Sequence, residues 1–451
     1  MTSSQRVLSI AALGLLAACG PGSSRDDVPP HVVIVSLDTV RADEIASYGG
    51  PAGATPTIDG LAAAATRYPE AVSSAPWTMP THASMFTGLF PFEHGAHSFL
   101  PGEGHRGDNV FGLHARFETL AESLGRLGYR SAGVVANSIY LRPQLGLQAG
   151  FQTWDVKREP GASVTDRALR WVDENAKGDR PFFLFVNYMD AHRPYAVADP
   201  QVDAESELDA LIERVMDRGE KAGERGARVA QLHQRAVTRL DAELGRLLDG
   251  LRERGHFDRT IVVVTSDHGE AFGRHGIVEH SKDVYEGLVQ VPFIVKGAGQ
   301  SEGVVASERA SSVDVPGLVA RGLAEAGFDD LVDTFPRVPG NHPVLAENYY
   351  SRLRDLERYG ERFRRQRYAL FDGDWKLVAG SDGIVELYDV AVDAAESNDL
   401  ASAEPAVVED LLARLNELLD ATRYEGERAL PGQLTDVQSR DLDDLGYGGG
   451  R

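Results

Sequence analysis

The chain has 451 residues, one Cys and a formal net charge of −22. That length supports a large buried core with room for a smaller second unit. The charge excludes nucleic acid as a partner, because such binding needs a basic surface that displaces counterions, and a single Cys excludes both an intrachain disulfide and a Cys-cluster metal site.

From the N-terminus, Arg6 precedes an apolar run at 7–16 that is too short to span a bilayer. The run leads into Leu16-Ala-Ala-Cys19-Gly20, which resembles a bacterial lipoprotein signal. That resemblance implies an exported protein, periplasmic or on the outer face of a membrane. Acyl chains on Cys19 would anchor it, with residues 20–30, rich in Pro, Gly and Ser, as tether. The run 31–37 (HVVIVSL) is short, continuous and β-branched, and reads as a buried parallel strand. Similar runs lie at 131–135, 182–186 and 260–265, with helical stretches between them at 116–127, 165–174 and 228–254. Alternating strands and helices predict an α/β fold, a mostly parallel sheet with helices on its faces. Residues 198–228 are charged and weakly apolar, and predict a helical surface insertion without chemistry. From about 328 the pattern changes to short antiparallel strands at 367–378 and 384–388. An amphipathic helix follows at 405–421, with Val408, Leu411, Leu412, Leu415, Leu418 and Leu419 on one side. The expected organisation is therefore a signal at 1–19, a tether at 20–30, a catalytic domain at 31–327 and a C-terminal α+β subdomain at 328–426. A tail at 427–451 closes the chain, with little order beyond a short helix at 436–445.

Asp38, Asp190, His192, Asp267 and His268 each follow a predicted strand. Carboxyl ends of parallel strands are where α/β folds build their sites, so these five residues are expected to converge. Residues 74–88 read SAPWTMPTHASMFTG. Pro80 suits the first turn of a helix and Gly88 its end, so Thr78 is expected at a helix N-terminus, where backbone N–H groups favour a bound oxyanion. A divalent cation beside Thr78 would stabilise its alkoxide as a nucleophile.

These segments together resemble the sulfatase family of the alkaline phosphatase superfamily, over roughly residues 31–425. The family's active-site pattern is Cys or Ser, any residue, Pro, Ser, Arg, then an apolar stretch ending in Thr-Gly. Anchored on Thr87-Gly88, it puts Pro80 on Pro, Thr81 on Ser, His82 on Arg, and Thr78 on the Cys or Ser that becomes formylglycine. The opening 36–43 (SLDTVRAD) and the segment 265–270 (TSDHGE) match the family's metal-binding segments. The resemblance implies one divalent ion, Ca, Mg, Mn or Zn, held by Asp38, Thr78, Asp267 and His268. It implies a catalytic role for His192 in NYMDAHRPY (187–195), with Arg193 a weaker candidate. It also implies contact with the transferred group by His280 or Lys282 in RHGIVEHSKDVYE (274–286), with His275 a further candidate. His82, and Asn137 in Val135-Ala-Asn-Ser138, are the remaining substrate-contact candidates. Trp375-Lys376-Leu377 and Glu386-Leu387-Tyr388-Asp389 match recurrent segments of the family's C-terminal subdomain.

Three departures stand out. Thr39 occupies a position where many sulfatases carry a second Asp. Val135 to Ser138 replaces a cationic Gly-Lys-Trp-His. Thr78 cannot be converted to formylglycine. The set Asp, Thr, Asp, His also resembles lipoteichoic acid synthases and phosphoethanolamine transferases, which use a Thr nucleophile. The expected activity is metal-dependent cleavage of a sulfate or phosphate ester by Thr78, on a small-molecule, glycan or lipid-headgroup anion. The alternatives are a phosphodiesterase, a phosphoethanolamine- or phosphoglycerol-type transferase, or a non-catalytic binding lipoprotein on the same scaffold.

Overall fold

The computed structural model describes residues 28–100, 102, 109–178, 180–195, 203–430, 435, 438, 440 and 441. Cys19, the signal segment and most of the tether lie outside the described residues.

Eight strands form the central sheet. In chain order they are β1 (His31–Leu37), β2 (Thr66–Arg67), β3 (Arg130–Val135), β4 (Thr153–Val156), β5 (Phe182–Tyr188), β6 (Thr260–Thr265), β7 (Phe293–Lys296) and β8 (Val304–Val305). Their spatial order is β8-β2-β7-β6-β1-β5-β3-β4. β1 pairs parallel with both β5 and β6, and only β7 runs against its neighbours. Every residue of β1, β5 and β6 is buried, which is why these strands read as unbroken apolar runs instead of alternating ones.

The alternation inside each strand divides the core. Val33 and Val35 pack against α1 (Pro56–Ala62), α4 (Gly161–Asn175), α5 (Ala204–Ile212) and α6 (Gly223–Glu253). Val32 and Ile34 face α2 (Thr78–Thr87), α3 (Leu120–Arg126) and α7 (Val315–Glu325) on the opposite side. The result is the expected three-layer sandwich. A second sheet, a four-stranded antiparallel meander, runs β9 (Val344–Asn348), β10 (Arg367–Asp372), β11 (Trp375–Gly380), β12 (Val385–Asp389). Helix α8 (Pro405–Thr422) buries Leu411, Leu415 and Leu419 against Leu345, Leu370, Leu377 and Leu387 of that sheet.

The ends of several elements differ from expectation for local reasons. Helix α3 starts at Leu120 instead of 116, because Thr119 caps it reciprocally with Glu122. The stretch 367–378 is broken by a turn at Gly373, whose φ is 57°, into two paired strands. The first residues of the tail, 427–430, are packed: Ala429 accepts the Gly112 N–H at 2.7 Å, and Arg428 donates to the Gly95 carbonyl. Of the helix expected at 436–445, residues 438, 440 and 441 are described, and they are helical.

Candidate active site

Register brings the first two candidate residues together. Ser36 lies opposite Thr265 in the parallel pair β1–β6, so two residues further on Asp38 and Asp267 leave the sheet side by side. His268 follows Asp267. One carboxylate oxygen of Asp38, one of Asp267 and one ring nitrogen of His268 all lie within 4.8 Å of one another. His268 Nε2 is 3.7 Å from Asp38 Oδ1 and 3.5 Å from Asp267 Oδ2. All three side chains are completely buried, and none of these three atoms has a hydrogen-bond partner among the described residues.

Buried polar atoms are normally paired, so three facing one another without partners need a ligand they can share. Burial pushes the Asp38 carboxyl well above its ordinary range, and Asp267 beside it adds to the effect. Burial likewise raises Asp267, to about 7, although the Thr39 and His268 N–H groups and the Thr78 hydroxyl partly offset it. His268 is lowered by burial. Its Nδ1–H donates to the Gly269 carbonyl at 2.9 Å, so Nε2 presents a lone pair toward the carboxylates. Two carboxylates and an imidazole lone pair form a donor set suited to a divalent cation.

Thr78 completes the group. It is the first residue of α2, entered through the extended Trp77 and closed by Gly88 at φ 72°. Asn137 Nδ2 donates to Asp38 Oδ2 at 3.1 Å and lies 3.3 Å from Thr78 Oγ1. Asn137 is itself fixed: its Oδ1 accepts from the Ile139 and Tyr140 N–H groups, and its own N–H donates to Asn187 Oδ1. Thr81, in the position of the family's Ser, donates to the Ala75 and Trp77 carbonyls and holds the entry to the helix.

His192 and His280 extend the site outward. The His280 ring is 4.4 Å from that of His268 and 5.1 Å from that of His192. His192 Nδ1 donates to the Arg193 carbonyl and His280 Nδ1 lies against Glu270 Oε1. Burial holds both rings well below the ordinary His range, and the neighbouring His reinforces it in each case. In the neutral rings Nε2 is therefore an acceptor. A cavity of about 310 Å³ opens beside His192, lined also by Ala136, Arg158, Met189, Arg193 and Arg239.

Several expected residues are not aimed at this point. His82 is fully buried, donating from Nδ1 to the Thr78 carbonyl at 2.8 Å and accepting at Nε2 from the Ser36 hydroxyl at 2.9 Å. Burial drives its pKa down to about 3. It ties the start of α2 to β1, its Nδ1 lies 3.8 Å from Asp267 Oδ2, and both ring nitrogens are already engaged within the protein. Lys282 is paired with Glu279 at 3.2 Å and Asp355 at 3.5 Å, which leaves His280 the better placed of the two candidates. Arg193 pairs with Glu279, Glu205 and Asp209, so α5 of the insertion supplies ion-pair partners to the rim. Asp190 does not join the cluster. Its Oδ1 accepts the Gly161 N–H at 3.1 Å and closes the start of α4. His275 stacks on Tyr285 and bonds the Ala395 carbonyl.

Two groups went unread in the sequence. Glu270 ends the segment 265–270, and its burial beside His280 depends on the fold. Glu279 is surrounded by Arg193, Lys282, Arg352 and Arg354. Burial pushes its carboxyl up, yet those four cations hold it well below the usual range. Arg352 and Arg354 come from far along the chain, and no local spacing signals the pairing.

A sulfatase family profile matches residues 30–320. Among curated proteins, the chain is 25% identical over 378 residues to an ulvan-active sulfatase of Formosa agariphila, covering 74% of this chain and 71% of that one. It is 23% identical over 486 residues to arylsulfatase K of Bos taurus, covering 92% and 87%. Among solved structures, the phosphonate monoester hydrolase of Agrobacterium radiobacter superposes with a TM-score of 0.66 at 18% identity, covering 87% of this chain and 95% of that one. A 2-O GAG sulfatase superposes with a TM-score of 0.67 at 16% identity, covering 87% and 92%.

Proposed function

Because this chain belongs to the sulfatase family, and so to the sulfuric-ester hydrolases, we propose that it cleaves an anionic ester by attack of Thr78 on the central sulfur or phosphorus. The observation that carries the reading is the meeting of Asp38, Asp267 and His268 through three buried, partnerless atoms, with Asn137 bonding both Asp38 and Thr78.

A divalent cation held by Asp38, Asp267, His268 and Thr78 would supply Lewis-acid stabilisation of the negative charge on Thr78 Oγ1 and on the ester oxygens. Asn137 Nδ2 holds Oγ1 in place from one side. Asp267 lies near enough to feel the Thr78 hydroxyl, which gives the departing proton an acceptor. His280 and His192 receive the transferred group and the leaving oxygen. An anion arriving between them raises the proton affinity of both rings, so that Nε2 can take up a proton and then donate it. The leaving group occupies the cavity beside His192. Water or an alcohol then displaces the group from Thr78.

A second reading within this one concerns the central atom. A formylglycine hydrate can expel sulfate through its second hydroxyl. A threonyl ester has no such hydroxyl, and release needs a second displacement, the route of phosphoryl-transfer enzymes with a Thr nucleophile. Thr78 therefore favours a phosphoester or phosphonate ester, and a phosphonate monoester hydrolase shares the fold. The intact donor set favours catalysis over a binding role on the same scaffold. We also propose that the protein is exported and anchored through a lipidated Cys19.

The test is a panel of aryl sulfate, phosphate monoester, phosphodiester and phosphonate monoester, each with Ca, Mg, Mn and Zn, on wild-type enzyme and Thr78→Ala. Turnover of at least one ester should fall by several orders of magnitude in Thr78→Ala, with Thr78→Ser retaining part of it. Full activity in Thr78→Ala would leave a bound water as the attacker.

A further inference from the structure

The residue after Asp38 is held in a costly conformation. Thr39 has φ 66°, in the left-handed region that a β-branched residue enters only at a cost. There its N–H points to Asp267 Oδ1 at 3.3 Å, and its hydroxyl donates to the Asp38 carbonyl at 2.7 Å. One residue thus touches both strand-end carboxylate segments.

The support for that conformation comes from helix α6. His233 Nε2 lies 3.3 Å from Thr39 Oγ1, and Nδ1 donates to Glu44 Oε1 at 2.6 Å. The Thr39 hydroxyl gives its proton to the Asp38 backbone carbonyl, so it accepts from His233 Nε2 only when both ring nitrogens carry hydrogen, the imidazolium form that pairs with the Glu44 carboxylate. Glu44 is fixed in turn by the Arg41 N–H at 3.1 Å on Oε2 and by Gln234 Nε2 at 3.0 Å on its carbonyl. His233 and Thr39 are completely inaccessible, and Glu44 is nearly so. His233 sits on the buried face of α6, between the apolar Leu232 and Ala236, where a His–Glu pair is not needed for packing.

Resting on the reading of Asp38, Asp267 and His268 as a cation site, we infer that Thr39, clamped by His233 and Glu44, is the positioning residue that aims the two carboxylates at one ion. The clamp does through backbone and hydrogen bonds what a second carboxylate at position 39 would do by direct ligation. His233 and Glu44 touch no proposed ligand and act through Thr39.

Mn²⁺ affinity of the full chain, followed by electron paramagnetic resonance and calorimetry, tests this without reference to turnover. His233→Ala should weaken Mn²⁺ binding by about 10- to 100-fold, the usual size of an outer-shell loss. Glu44→Gln should weaken it less, in the same direction. Glycine adopts φ 66° unaided, so in a Thr39→Gly background His233→Ala should change the affinity far less than it does in wild type. A merely structural His233 would lower the melting temperature equally in both backgrounds and leave the affinity alone. Wild-type affinity in His233→Ala, or equal losses in both backgrounds, would overturn the inference. If His233→Ala does not fold, the comparison of Glu44→Gln with and without Thr39→Gly makes the same decision. Absence of Mn²⁺ binding in wild type would instead refute the cation site itself.

Discussion

Asp267 and Asp38 are a pair that water-free protein does not tolerate in ionised form. Burial is the largest cause that raises each carboxyl, and Asp267 reaches about 7 even with its hydrogen bonds opposing the rise, while an unfolded Asp titrates near 3.9. A folded-state pKa above the unfolded one means that the folded chain binds more protons between the two values. The associated stability is fully present below about 4 and is lost as pH rises through about 7. Metal binding must expel the same protons. Thermal scans of EDTA-treated protein should therefore show a melting temperature that declines from pH 5 to 8. Metal-loaded protein should show a flatter profile, and its affinity should climb by about tenfold per pH unit for one displaced proton until near pH 7. A pH-independent affinity over that range would rule out these carboxylates as ligands. Position and residue type made this cluster legible in the sequence, since a strand end fixes where a carboxylate sits. Direction was not legible. His82 and Lys282 occupy the right segments, yet one ring points down to Ser36 and the other side chain points to Glu279. Nothing in a linear spacing distinguishes a side chain that faces substrate from one that faces the core. Asp190 shows the same limit, since a strand-end carboxylate caps a helix as readily as it binds a metal.

At the scale of elements, the strands were the most legible because burial on both faces leaves only apolar residues. β1 and β6 match their expected bounds residue for residue. Helices were less so, because their ends are set by caps and tertiary partners. Helix α6 starts at Gly223, five residues before the charged stretch stops looking like an insertion. Its role was hidden entirely, since Asp241 caps α1 at the Thr57 and Ile58 N–H groups and His233 reaches Glu44. Those partners are more than 180 residues distant. The weld between β1 and α2 gives a direct test. His82→Ala removes one hydrogen bond to the Thr78 carbonyl and one from Ser36, and opens a space beside Phe86 and Phe185. A loss of about 3 kcal/mol in unfolding free energy is expected. The turn that presents Thr78 should loosen with it, so kcat should fall while KM changes little. Denaturant unfolding and steady-state kinetics read the two effects separately. A stable variant with an unchanged kcat would show that α2 is held in place by packing alone.

The whole molecule carries its charge against its own chemistry. The proposed anchoring through Cys19 predicts that Cys19→Ala moves the protein from the membrane fraction to the soluble one, and a variant that stays bound would refute the anchor. The charge makes a sharper demand. A net −22 repels an anionic ester at long range, while the attraction that opposes it is local. The basic side chains nearest the site are mostly neutralised: Arg193, Lys282, Arg352 and Arg354 share Glu279, Asp355, Glu205 and Asp209, and the site histidines are held neutral by burial. Screening weakens the long-range repulsion first, because the Debye length falls from about 30 Å at 0.01 M to about 8 Å at 0.15 M. The attraction inside the buried site acts over a few ångströms and is screened much less. With metal saturating, kcat/KM for an anionic ester should therefore rise severalfold as KCl increases from about 10 to 150 mM, the reverse of an enzyme that steers its substrate electrostatically. The effect should sit in kcat/KM and leave kcat nearly constant, because it acts on encounter and not on the bound state. A fall in kcat/KM over the same range would mean that a positive funnel around Arg158 and Arg239 outweighs the charge of the whole chain, and the cavity beside His192 would then be the entry path for the anion.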